Sequence, residues 1–340
     1  MGGVGLANAL AQDSWPSVPS ENDFRFCCVN WDFCVQVTLY GLRGYSHFSI
    51  RMKDETKIES EEGRMEGNSG FRSDMKLRII FFTQEDPFYV KVFFEEFLKT
   101  SGKLDEIEGI VISKPLGRRS KVRLGLEMYG LYGLVDFLRM GIRYAYAKSM
   151  GALLVRSSGV GNKGKGYTIS QLGRGYGLNV IERSDLNSSE FIKMIGGYGP
   201  DLFISVASPM IFGEKLLAVP RLGCINIHSA PLPWYRGMLP NFWQLYHGEK
   251  EAGITVHRMD RGIDTGDVII QKYVPIESGD SLSDVIRKSK RLGARMMIEV
   301  IEQFRHGRVT YRTLGGKGSY FSFPTRRDVM EFRRRGFRML

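Results

Sequence analysis

Residues 75–83, Met-Lys-Leu-Arg-Ile-Ile-Phe-Phe-Thr, begin abruptly as a strand, with apolar side chains dominating the run. From Phe88 to Leu98 the apolar positions recur at helical spacing, so a helix is predicted next. A second strand is expected at about 109–112. It precedes a long, mainly helical stretch over 122–150, where Leu126, Tyr129, Val135, Leu138 and Ile142 fall near helical spacing. Beyond a glycine-rich loop at 157–166, a helix is predicted around 168–172 and a short strand at 179–181. Asn187-Ser-Ser is a helix-opening cluster, since short polar side chains satisfy the first free N–H groups. Strands at 201–207 and 223–228, a helix over 282–304 and a strand after Gly307 complete the series. Alternation at these lengths implies an α/β fold, a mainly parallel sheet with helices on both faces.

The segment before residue 75 reads differently. Residues 35–40 could form one strand, but 53–70 is polar, charged and rich in Gly and Ser. One reading takes Met75 as the true start and 1–74 as upstream translation; the other takes 1–74 as an appended extension. Charge divides at the same place. Residues 1–74 hold 7 basic and 11 acidic residues, whereas 75–340 hold 41 basic and 26 acidic ones. At 43% hydrophobic and 12% aromatic, the 340-residue chain can bury a core, which excludes wholesale disorder.

No apolar run reaches membrane-spanning length, which argues against an integral membrane protein. The first eleven residues lack the basic region of a secretory signal. Four cysteines do not make a disulfide scaffold, and Cys27, Cys28 and Cys34 form no CxxC pair of the kind zinc favours. No metal is expected, and the cytoplasm is the expected compartment.

The chemistry concentrates in 224–270. Asn226 and His228 are two apart at the end of a predicted strand, so their side chains share a face. In an open parallel sheet, ligands bind at the carboxyl ends of strands. An amide donor beside an imidazole suits an oxyanion in acyl transfer, and a nearby carboxylate would favour the protonated imidazole. Downstream lie a proline loop, Pro231-Leu-Pro-Trp-Tyr-Arg-Gly237, the segment Gly253-Ile-Thr-Val-His257, and Asp260-Arg-Gly-Ile-Asp264-Thr-Gly-Asp267.

This order of motifs resembles the folate-dependent formyltransferase family, which includes glycinamide-ribonucleotide, methionyl-tRNA and amino-sugar formyltransferases built on a Rossmann-like domain. The resemblance covers roughly 75–305 and is specific over about 200–270. It implies that Asn226, His228 and Asp264 are catalytic, the first two stabilising the oxyanion while Asp264 tunes His228 and relays a proton. It also implies a pocket for 10-formyltetrahydrofolate, the formyl donor, at Met210, Ile211 and Phe212 and at Met259, Asp260, Arg261, Gly262 and Ile263. The domains then follow: an extension at 1–74, a catalytic domain at 75–305 with a helical insertion at about 116–165, and a short basic appendage at 306–340. One departure is Ala230, which stands where the family commonly has serine.

The expected acceptor is a small-molecule amine, an amino-sugar nucleotide or glycinamide ribonucleotide. Methionyl-tRNA members add a substantial RNA-binding domain, and the short segment after the last long predicted helix counts against tRNA. The rival readings are a tRNA acceptor, hydrolysis of the formyl donor by water, and a nucleic-acid-associated binding protein without turnover. Among the remaining signals, His257 is expected near the core or behind the reacting groups, and His47, His247 and His306 at the surface. Gly159-Val-Gly-Asn-Lys-Gly164 matches GxGxxG but lacks the acidic partner of a dinucleotide site, so it reads as a flexible loop. Arg326, Arg327, Arg333, Arg334, Arg335 and Arg338 read first as a solvated basic helix, and second as a site for an acidic acceptor.

Overall fold

The computed structural model describes residues 27–29, 33–35, 76–113, 121–156 and 166–340. Residues 157–165 of the glycine-rich loop with its GxGxxG, residues 36–40 of the strand expected at 35–40, the polar 53–70 segment, Met75 and His47 fall outside these residues. Within the N-terminal segment, β1 (Cys27–Val29) and β2 (Phe33–Val35) pair antiparallel, Cys28 opposite Cys34.

The body is a seven-stranded sheet of β3 (Ile79–Gln84), β4 (Ile107–Ser113), β5 (Val180–Glu182), β6 (Leu202–Val206), β7 (Cys224–His228), β9 (Glu251–Arg258) and β10 (Val268–Pro275). Their spatial order is β10-β9-β7-β6-β3-β4-β5. The five strands from β7 to β5 are parallel, while β9 and β10 run antiparallel at one edge. The chain moves outward from β3 to β4 and β5, then reverses to β6 and β7, so the sheet has a switch point between β3 and β6, where such folds open a ligand crevice.

Helices cover both faces, as expected for a sheet whose strands are apolar on both sides. On one face α1 (Val90–Thr100) and α7 (Leu282–Arg305) pack together over Ile79, Phe81, Ile225, Ile227, Ile254 and Val256. On the other, α4 (Ser189–Gly196) and α5 (Glu214–Leu217) pack over Ile80, Phe82, Val111 and Phe203. Each start has a local cause. The Asp86 carboxylate accepts from the N–H groups of Phe88, Tyr89 and Val90 where α1 opens. Glu85 accepts from Ile169 and Ser170 at the start of α3 (Ile169–Gly175). Ser188 caps α4, and Ser281 with Asp284 forms a reciprocal capping box on α7.

The predicted long helix is α2 (Lys121–Arg156), broken at Gly133, where φ is 67°. Its expected apolar face does not meet the core: Leu126 is 64% exposed and Ile142 70%, and Tyr129, Val135 and Leu138 also face outward. Met128, Leu131, Tyr132 and Met140 make the packing contacts instead. The break resets the helical phase, so one apolar stripe cannot serve both halves.

The strand expected directly after Gly307 is absent. Arg312 forms an isolated bridge to Val268, and positive-φ glycines at 316 and 318 turn the chain into β11 (Tyr320–Phe321). That strand pairs parallel with β8 (Arg236–Gly237), and α8 (Arg326–Arg334) closes over α6 (Pro240–Tyr246), with Phe332 stacked on Phe242 at 4.6 Å. Several tail arginines are occupied internally. Arg333 donates to the Tyr132 carbonyl, Arg334 and Arg335 pair with Glu331, and Arg338 donates to the Gly279 carbonyl. The six arginines stay exposed, as expected of a solvated basic helix, while Arg333, Arg335 and Arg338 also donate to carbonyls of other elements and tie the tail to the body. No helix among the described residues is long and apolar enough to cross a membrane.

Candidate active site

Strand alternation builds the first part of the site. Along β7, Ile225 and Ile227 enter the core beneath α1 and α7, which sends Cys224, Asn226 and His228 to the opposite side. Asn226 and His228 emerge at the strand's carboxyl end, into a cavity near the switch point. Asp264 arrives from the turn before β10, with a left-handed backbone (φ 52°), and lines the same cavity. Asp264 Oδ2 lies 3.5 Å from His228 Nδ1, and Oδ1 lies 3.4 Å from Asn226 Nδ2. The structure thus brings the three expected reacting residues together.

A fourth polar side chain joins them. His257 on β9 is directly opposite Asn226 in the antiparallel register, so the two side chains stand together on one face. Its Nε2 is 3.2 Å from Asn226 Nδ2 and 3.6 Å from Asp264 Oδ1, while Nδ1 lies 2.8 Å from the Arg258 carbonyl. A carbonyl cannot donate, so Nδ1 donates to it, and Nε2 stands between the Asn226 amide and the Asp264 carboxylate. His257 thereby packs against both groups. The expectation of a place behind the reacting groups holds in this sense, although the ring also lines the cavity.

His228 is 7% exposed, and its Nε2 lies 2.9 Å from the Tyr235 carbonyl, which fixes a proton on that nitrogen. Burial holds its pKa below the ordinary value, outweighing Asp264 and the Tyr235 carbonyl, which push it up. His257 and Lys290 depress it further. This corrects the expectation of a protonated imidazole: the carboxylate is in place, but desolvation wins. For Asp264, burial pushes the pKa up, yet His228, His257 and the Gly237 N–H together bring it down to about 2. The pair at rest is a neutral imidazole facing a carboxylate.

Lys290, on α7, was not anticipated. It is 6% exposed and lines the cavity. The loop 235–239 was also missed as a site element. Tyr235 supplies its carbonyl to His228, and Gly237 its N–H to Asp264 Oδ2 at 3.2 Å. Tyr235 and Leu239 are left-handed at φ 57° and 51°, a strain that non-glycine residues concentrate at functional sites. No side-chain pattern announces a backbone donor or acceptor.

The expected donor pocket forms the other half of the cavity. Met210, Ile211, Phe212, Met259, Asp260, Gly262 and Ile263 line it. Asn187 clamps one rim, donating to the Ile211 carbonyl and accepting from Gly213 N–H. Asp260 holds the other, accepting from Gly262 N–H and the Thr265 hydroxyl. Arg261 departs from the expectation: its side chain is 77% exposed and pairs with Glu214 at 2.9 Å, so it serves the rim from outside. The remaining wall combines apolar side chains with backbone polar groups, which fits a flat heterocycle whose edge hydrogen-bonds.

The profile of the family described as formyl transferase matches residues 140–301. The chain is 30% identical over 194 residues to a methionyl-tRNA formyltransferase of Thermodesulfovibrio yellowstonii, covering 56% of this chain and 63% of that protein. Against the methionyl-tRNA formyltransferase of Pelobacter propionicus the identity is 32%, over 45% of this chain and 48% of the relative. The chain thus spans less than two thirds of these curated relatives. Among solved structures, a glycinamide ribonucleotide transformylase from Symbiobacterium toebii superposes with a TM-score of 0.46 at 18% identity, over 70% of this chain and 94% of its own. An N-formyltransferase from Helicobacter canadensis, in complex with folinic acid and dTDP-3-aminofucose, gives 0.44 at 17% identity, over 72% and 71%.

Proposed function

Since this chain belongs to the folate-dependent formyltransferase family, we propose that it transfers a formyl group from 10-formyltetrahydrofolate to an amine, with Asn226, His228 and Asp264 at the reacting centre. The observation that carries this reading is the convergence of those three side chains in one cavity at the carboxyl end of β7. The cavity wall at 210–212 and 259–263 holds the formyl donor, its backbone groups meeting the edge of the pterin. Attack by the amine on the formyl carbon develops charge on the formyl oxygen. The Asn226 amide, which lines the cavity, is the donor for that charge, its N–H leaving Asp264 Oδ1 for the developing oxyanion. The amine's proton passes to the His228–Asp264 pair, which carries one negative charge at rest and becomes an imidazolium facing a carboxylate. Collapse returns the proton to the departing folate nitrogen and leaves the formamide.

For the acceptor, the curated relatives favour an aminoacyl-tRNA over the small-molecule amines expected from sequence, because those matched carry the name methionyl-tRNA formyltransferase. The test supplies 10-formyltetrahydrofolate with charged initiator tRNA, glycinamide ribonucleotide or amino-sugar nucleotides, and follows folate release by absorbance in wild type and His228→Ala. Turnover that needs tRNA and is lost in the variant supports this reading. Turnover with a small amine transfers the acceptor back to that class, and turnover without any acceptor makes the protein a hydrolase. Donor binding without turnover in every arm rules the reading out.

A further inference from the structure

The short tail strand β11 lies against the loop that holds the reacting pair. Backbone polar groups along 235–238 alternate between two sets of partners. Tyr235 N–H donates to Ser319 Oγ at 2.8 Å, Arg236 N–H to the Ser319 carbonyl at 3.0 Å, and Met238 N–H to the Phe321 carbonyl at 2.8 Å. Between them, the Tyr235 carbonyl accepts from His228 and Gly237 N–H donates to Asp264. One edge of this segment is therefore bonded to the tail, and the other to the two groups that share the proton.

The fit is close. A Cβ on Gly237 would stand 2.3 Å from the Phe321 carbonyl oxygen, and one on Gly318 would stand 2.1 Å from the Pro233 carbonyl oxygen. Phe321 also stacks on Tyr235, with ring centroids 5.6 Å apart, and on Trp243, at 4.7 Å. Trp243 in turn donates its indole N–H to the Ser322 carbonyl. Tyr235 keeps its left-handed backbone only where its surroundings over-determine it, and Ser319 and Phe321 supply that constraint.

We propose that residues 318–322 are a positioning strap for the reacting centre, with Ser319 as its main positioning residue, setting the Tyr235 carbonyl against His228 and the Gly237 N–H against Asp264. Catalytic relevance rests on the formyl-transfer reading above; the positioning itself does not. A merely structural clasp would hold the tail to the body and leave the reacting pair indifferent to Ser319.

The experiment uses the full chain with Ser319→Ala, Ser319→Thr and Gly318→Ala. Two readouts are taken: steady-state kinetics, and nitrogen-15 NMR of the His228 ring, assigned by comparison with His228→Ala. In wild type the His228 Nε2–H signal is slow to exchange. In Ser319→Ala it is lost to exchange, kcat falls about tenfold and the KM of the formyl donor stays within about twofold, since the donor wall is untouched. Ser319→Thr keeps the hydroxyl and restores both readouts. Gly318→Ala displaces the strap from the Pro233 side and reproduces the Ser319→Ala pattern. An unchanged Nε2–H signal together with wild-type kcat in Ser319→Ala overturns the proposal. If wild type turns over with no acceptor, formyl transfer fails, while the NMR comparison still decides whether the strap positions His228.

Discussion

His228 sits where two large effects oppose each other, and the direction of its titration follows from which is larger. Burial keeps it neutral, and the carboxylate of Asp264 waits for the moment it becomes charged. Removing the ring in His228→Ala is expected to lower kcat by at least about a hundredfold, the scale of losing one aligned charge-stabilising group, with donor affinity little changed. In the proposed reaction the neutral ring takes the proton, so kcat/KM is expected to rise with pH through a pKa below the ordinary 6.5. Lys290→Met removes a positive charge that depresses this pKa, so the acid limb of the profile moves to higher pH. Asp264→Asn removes the group that raises it, so the limb of the residual activity moves the other way. A pH profile of the two variants beside wild type checks both signs.

The same shifts govern stability. His228 titrates lower in the folded chain than in the unfolded one, so its contribution is present above pH 6.5 and is lost as pH falls toward the folded value. Asp264 contributes above 3.8, and that contribution is lost between there and about 2. Acid denaturation followed by circular dichroism should lose the lower step in Asp264→Asn. At this scale much of the site was legible. Asn226, His228 and Asp264 follow from residue type, a spacing of two on a strand and a familiar order of motifs. His257 was expected behind the reacting groups, but its place opposite Asn226 was not legible, because that is a matter of strand register. Nor was the role of Tyr235, which acts through a carbonyl that every residue possesses.

Among the elements, the parallel strands announced themselves as apolar runs and the capped helices as Ser and Asn clusters. The orientation of α2 did not follow from its periodicity, because the left-handed break at Gly133 divides one long pattern into two phases. The tail was legible only in part: its arginines dominate the composition and are exposed as expected, while Ser319 and Phe321, which meet the 235–238 loop, are unremarkable in sequence. Close approach is another feature that only packing reveals. A Cβ at Gly253 on β9 would meet Pro231 atoms at 2.6 Å. Gly253→Ala is expected to destabilise the fold by about 1–3 kcal/mol, measured by denaturant unfolding, because the proline ring has little freedom to retreat.

For the whole molecule, one ion pair joins distant parts of the chain. Arg305, at the end of α7, donates to Glu106 just before β4 through two hydrogen bonds of 3.2 and 2.5 Å, with side chains only 3% and 5% exposed. The partners are 199 residues apart in sequence. Glu106→Ala leaves a buried guanidinium whose remaining acidic partner is the half-exposed Glu302, so a loss of about 3 kcal/mol in unfolding free energy is expected. Burial of both groups makes that loss insensitive to salt, which separates it from the many exposed pairs elsewhere on the surface.

The opposition of Asn226 and His257 across β7 and β9 also sets what kinds of length change the chain can absorb. The turn at 247–250 is an adjustable spacer, since extra residues there leave the pairing of β9 intact. Inside β9 the rule is one of parity. A single residue inserted between 251 and 256 either shifts the upstream half of the strand or turns the imidazole to the opposite face of the sheet. A scan of one-residue insertions should therefore divide sharply at Lys250, with tolerated variants on one side and inert ones on the other.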